Sequence, residues 1–228
     1  MLNRLEANDL EGVGTLGSLT ARKDATPKVD LRQRTYELLP FVRKPLKKEK
    51  EALGEQGFDL LWLPVKTESY AQVVAQNPAF FWDGQVKYAK SETALRDIFP
   101  VATEVGFFNP VTSELALPDS FYISPDGHLQ KIDDYSLTLS AEFPEARAIM
   151  LPVTAYAQAD MAYQNQTGEG LFINFFARAL DILSGAGAAN AGRANPKRRF
   201  GVGGWVEDFG SPRIGAVPGI VFVQNEDK

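Results

Sequence analysis

The chain reads as a mixed α/β protein made of two similar α-β-α-β-β halves, related by internal duplication around a mixed sheet or a pair of sheets. Three observations predict this. Leu63-Pro64-Val65 followed by Tyr70-Ala71-Gln72 returns as Leu151-Pro152-Val153 followed by Tyr156-Ala157-Gln158. Ala116-Leu117-Pro118-Asp119-Ser120-Phe121-Tyr122-Ile123 is echoed by Ala216-Val217-Pro218-Gly219-Ile220-Val221-Phe222-Val223, and Val105-Gly106-Phe107 by Val202-Gly203-Gly204-Trp205. Helical spacing and short apolar runs also alternate in the same order in both halves. The predicted units are 30–123 and 124–228, packed together, preceded by an extended N-terminal arm over 1–29. That arm is polar and Gly/Thr-rich and shows no periodicity.

The elements follow in chain order. Asp30 caps a short helix carrying Leu31, Leu38, Leu39 and Val42, and Pro45 opens a second helix that Gly57 stops. Residues 58–65 are nearly continuous apolar, which predicts a strand covered on both faces. Thr67 caps a helix to about Asn77. Residues 101–107 alternate and end at the Asn109-Pro110 turn, and 115–123 reads as the returning strand. Ser124-Pro125 opens a helix with Ile132, Tyr135, Leu139 and Phe143 on one stripe. A buried strand over 146–153 leads into a helix capped by Thr154 and closed by Gly168. Phe175, Phe176, Ala179, Ile182 and Leu183 fit another amphipathic helix. A glycine-rich stretch and strands near 200–206 and 214–223 complete the chain.

Composition narrows the function classes. Of 228 residues, 44% are hydrophobic and 23% charged, which excludes wholesale disorder. A net charge of −5 gives no global attraction for nucleic acid or anionic membrane. The absence of cysteine removes disulfides, thiolate nucleophiles and Cys-based metal sites. No metal or cofactor is expected. The acidic N-terminus lacks the apolar run of a secretory signal, so a cytoplasmic location away from membranes is expected.

The stretch from about 101 to 223, with its Asn109-Pro110 turn, Ser124-Pro125-Asp126-Gly127 helix entry and Ala216-Val217-Pro218 strand, resembles a family of uncharacterised bacterial proteins. The resemblance implies no activity, cofactor or partner.

Few residues point to chemistry. Gly12-Val13-Gly14-Thr15-Leu16-Gly17 matches G-x-G-x-x-G, but no strand precedes it, so the dinucleotide reading fails its context test. His128, the single histidine, begins a helix and reads as a packing or capping residue. Neither G-x-S-x-G nor H-E-x-x-H is present. Asp160 falls where the first half has Val74, facing the core between Tyr156 and Tyr163. A carboxylate there must be hydrogen-bonded, paired or protonated, and such residues collect at functional sites. Asp160, Tyr156 and Tyr163 are therefore the catalytic candidates, with Asp160→Val expected to be tolerated or stabilising if the role is structural. Arg193, Lys197, Arg198 and Arg199 cluster in the glycine-rich stretch 185–199, read as a mobile surface loop and as the candidate phosphate or polyanion contact. Nucleic-acid binding is not expected outside that loop. The favoured reading is a non-enzymatic structural or interaction protein, a subunit of a larger assembly with protein partners or copies of itself. The alternative is a small-molecule or phosphate-binding protein, or a non-covalent acid/base enzyme, using the buried Asp and the basic loop.

Overall fold

A computed structural model describes residues 30–83, 99–183, 187–193, 199–205 and 210–224. The expected arm, the G-x-G-x-x-G match, Lys197 and Arg198 lie outside them. Helix α1 (Leu31–Leu38) begins where the Asp30 carboxylate accepts from the Arg32 and Gln33 N–H groups, and a 3₁₀ turn leads into the two-residue strand β1 (Val42–Arg43). Helix α2 (Lys47–Glu55) follows, then β2 (Leu60–Val65), α3 (Tyr70–Gln76) and β3 (Thr103–Phe108). The second half supplies α4 (Pro125–Glu142), β4 (Ala146–Met150) and α5 (Val153–Thr167). It ends with β5 (Phe176–Leu183), β6 (Gly187–Gly192), β7 (Gly201–Trp205), β8 (Ile214–Gly215) and β9 (Pro218–Val223). The mixed α/β class is as expected.

Two sheets form. In the first, β9 is flanked by β4 on one edge and by β3 and then β1 on the other, with β2 outside β3 and every pairing antiparallel. The order is thus outer–inner–inner–outer, and each outer strand, β2 or β4, is followed by a helix. The second sheet runs β7-β6-β5-β8, with β8 parallel to β5. Helix α5 packs against β2, β5 and β6, so it touches strands of both sheets. Its first eight residues are all buried, and the approach is close because both partners present alanine. Ala155, Ala157 and Ala159 on the helix and Ala177, Ala179, Ala189 and Ala191 on the strands are fully buried.

Several expectations need correction. Residues 115–123 form turns, and 218–223 pairs instead with β3 and β4, so the echoed segments do not match as strands. Asp119 and Tyr122 hold positive φ (52° and 62°), which extended pairing does not allow, and the segment bonds laterally, Leu117 N–H to Ala216 O and Tyr122 N–H to Ser211 O. The α-β-α-β-β units therefore do not correspond element for element. Strand β2 is an edge strand with Pro64 exposed, not one covered on both faces, which suits a residue that has no N–H to give. Ser69, not Thr67, caps α3, and Pro152, not Thr154, precedes α5. The amphipathic helix expected over 175–183 is the strand β5, and the expected mobile loop contains β6, held between β5 and β7.

Candidate functional site

The buried carboxylate is real, and its partner comes from the stretch read as a loop. Asp160 is fully buried on α5. Its Oδ1 accepts from the Leu171 N–H (2.5 Å) and the Phe172 N–H (3.1 Å), and its Oδ2 accepts from Arg193 Nε (3.1 Å) and Nη2 (2.6 Å). Burial pushes the Asp160 carboxyl up from its ordinary range, while the Arg193 charge and the hydrogen bonds pull against it. Arg193 also donates to Gln164 Oε1 (3.2 Å) and lays its guanidinium over the Phe80 ring, 5.0 Å from the centroid. Gly170 makes room for it, since a Cβ there would stand 2.6 Å from Arg193 Nε. With four donors converging on Asp160, the pair ties α5, the 169–172 turn and the end of β6 together. It is a structural junction, with no lone pair aimed at a substrate.

The two tyrosines do not join it. Tyr156 is fully buried, donates its hydroxyl to Val217 O (2.6 Å) and accepts from the Leu151 N–H (3.3 Å), and burial raises its pKa. Tyr163 lines a separate cavity of about 510 Å³ with Leu115, Phe121, Leu171 and Phe175. Nor do the two described members of the basic cluster form a free patch. Arg193 is buried, and Arg199 pairs with Asp83 at 2.5 Å.

The geometry favours a different site, next to the junction. After α3 the chain crosses to the second sheet, where the Trp82 N–H donates to Phe200 O and the Phe200 N–H to Phe80 O. Phe80, Phe81 and Phe200 pack as one aromatic cluster, with centroids 5.0–5.9 Å apart. This fixes Trp82 and Asp83 over the outer face of the sheet. Between them and the strands lies a cavity of about 460 Å³, lined by Trp82, Phe176, Asn190, Gly192, Arg199 and Gly203 among others. Trp82 is 61% exposed. Asn190 is only 6% exposed, and its carboxamide makes no hydrogen bond to any described residue. The amide lies across Gly203, its partner on β7, at 3.5 Å from where a Cβ would sit. Gly192, at φ +155°, tolerates no side chain, because a Cβ would stand 2.5 Å from Phe175 O. Glycine thus leaves the backbone bare along the floor.

Of the residues singled out in the sequence, Arg199 reaches this cavity directly and Arg193 stands beside its floor. Asn190 and Trp82 were missed. Asn190 carried one signal, a polar residue inside the alanine run of β6, which helical and loop readings both hide. Among the described residues no group of three His, Asp or Glu is placed to hold a metal ion, and no helix is long and apolar enough to cross a membrane. Comparison with protein-family models, with curated proteins and with solved structures finds no match.

Proposed function

We propose that the chain is a ligand-binding protein whose cavity takes a neutral, hydroxyl-rich molecule with one flat apolar face, of the kind a sugar ring presents. The observation that carries the reading is the Asn190 carboxamide, set in the wall of a cavity of about 460 Å³ with no hydrogen-bond partner among the described residues. Such a volume falls within the range of small-molecule sites, where a few placed polar groups fix orientation. Asn190 offers a donor and an acceptor side by side, which matches vicinal hydroxyls. Trp82 supplies an amphipathic face above it. Arg199 and Asp83 neutralise one another at the mouth, so the cavity does not select a phosphate. Titrating mono- and disaccharides while following tryptophan emission and heat tests the reading. Saturable binding lost in both Asn190→Ala and Trp82→Ala supports it, and heat-silent titrations with unchanged emission across the panel overturn it.

A contact role in a larger assembly has its own observation. Tyr122 is 70% exposed and sits at φ +62°, where a bulky side chain is strained by on the order of 1–3 kcal/mol. An aromatic held in that state and turned to solvent suits a protein contact. Light scattering of Tyr122→Gly tests it: a smaller oligomer than wild type supports the role, and an unchanged mass removes it.

A further inference from the structure

Arg178 stands on β5 with its side chain fully buried. Its Nη1 donates to Ala188 O (3.0 Å), while Nε and Nη2 find no acceptor among the described residues. That open edge is the one Arg193 uses to hold Asp160. The same protein thus contains one buried guanidinium whose side-on fork is filled by a carboxylate and one whose fork is unfilled. Leaving it so costs more than any neutral orphan, because the buried group is charged. Among the described residues no carboxylate bonds to it: the charged group that acts on Arg178 is a second cation, Arg32, and burial holds its pKa down at about 10.

A second orphan lies against β8, the strand beside β5. His128, fully buried at the start of α4, donates Nε2–H to Ile214 O at 3.3 Å, and its Nδ1 finds no partner among the described residues. Ile214 pairs with Phe176, and Arg178 follows two residues along β5, on the same side of the strand. The Arg178 charge acts on the imidazole and helps to lower its pKa. With Nε2 carrying the proton, Nδ1 is an acceptor. Two parallel donors on one side and an acceptor on the other describe a planar oxyanion that keeps one hydroxyl.

We propose that Arg178 and His128 enclose a binding site for a small planar oxyanion of the hydrogencarbonate class, two oxygens on the Arg178 Nε–Nη2 edge and the hydroxyl toward His128 Nδ1. Bidentate pairing to guanidinium prefers such planar pairs of oxygens over a spherical ion. Both residues are fully buried, so the ligand is small and enclosed. The β5–β6 pairing breaks register between Arg178 and Ile182, beside the site, and that interruption supplies a point of local opening. The site is independent of the Trp82–Asn190 cavity, which holds neither residue.

The experiment is a thermal and ¹³C NMR titration with ¹³C-hydrogencarbonate at constant ionic strength, with gluconate and chloride as comparators. At a hundredfold excess over Kd, hydrogencarbonate raises Tm by roughly 5–10 °C. It also gives a bound carbon resonance distinct from the free one, and chloride does much less. Arg178→Met loses both effects, and Arg178→Lys, which keeps the charge without the fork, weakens binding at least about tenfold. Arg34→Ala, an exposed cation elsewhere, keeps them. Should Arg178→Met fail to fold, the wild-type resonance and the Lys variant decide. Absence of a bound resonance, equal effects of chloride, persistence of both effects in Arg178→Met, or undiminished affinity in Arg178→Lys overturns the proposal.

Discussion

Arg193 grips Asp160 through Nε and Nη2 at 3.1 and 2.6 Å while the flat of its guanidinium rests on Phe80. One side chain thereby joins α5, the end of β6 and the segment that carries Trp82 into the candidate cavity. The packing of the site depends on a charge pair set behind it. The Asn190 carboxamide stands on β6, three residues before Arg193, which directly follows that strand.

Asp160→Val is consequently expected to destabilise, contrary to what its match with Val74 suggests. Removing the carboxylate strands a buried guanidinium and two backbone N–H groups, a loss of about 3–5 kcal/mol. Urea unfolding measures it. The double variant Asp160→Val/Arg193→Met is expected to recover a large part, since the uncompensated charge leaves with its partner. A single Asp160→Val as stable as wild type contradicts the structural assignment.

Tyr156→Phe removes one hydroxyl that serves two backbone groups, Val217 O and Leu151 N–H. Both lie in a dry interior where no solvent replaces it. The expected cost is about 1–3 kcal/mol in the urea midpoint. Ligand binding at the Trp82 cavity is expected to persist, because Tyr156 does not line it.

Gly203→Val fills the cavity floor instead of removing a wall. A Cβ at Gly203 has its nearest foreign atom, Asn190 Oδ1, at 3.5 Å, which is ordinary contact. The larger side chain lies across the Asn190 amide, and valine suits a strand better than glycine. Melting temperature is expected to hold or rise while saccharide binding falls at least about tenfold, the exchange of function for stability met at binding sites. Full binding in this variant moves the ligand away from Asn190.

Much of the fold was legible where one rule acts alone. The Asp30 and Ser124 caps, the Gly168 stop and the α4 stripe rest on local geometry and stand in the structure. Strand β5 was not legible, because seven of its eight residues are buried or half-buried on two faces, which erases the alternation that marks a strand. The buried Arg178 and Asp181 within it added polar positions that imitate a helix face. For the same reason β6, with glycine, alanine and asparagine only, resembled a linker: its small residues let α5 approach. The Asp160 burial was read from the match to Val74. Its partner was not, since nothing local links position 160 to position 193, 33 residues away across a hairpin. The segment 115–123 misled because an echoed sequence was met by a backbone with positive φ at Asp119 and Tyr122.

His128 sets a pH dependence whose sign follows from its burial. Desolvation, first, and the Arg178 charge, second, lower its pKa from 6.5 to about 4, against the pull of its hydrogen bond to Ile214 O. In the unfolded chain the imidazole titrates near its ordinary value of about 6.5. At pH 7 both states are neutral, and the histidine contributes no proton linkage. As pH falls below about 6.5 the unfolded state takes up a proton that the folded state refuses, so stability drops. The drop continues to about pH 4, where the folded state also protonates, and then levels off. A shift of that size corresponds to about 3 kcal/mol over the window. His128→Gln keeps a donor for Ile214 O but has no titrating group. The difference between the wild-type and His128→Gln unfolding profiles is therefore expected to be flat above pH 7 and to grow steadily between pH 6.5 and 4. That difference separates His128 from the carboxylates, which titrate in both proteins. A difference that stays flat through this range shows that the imidazole titrates alike in both states and is not enclosed beside Arg178.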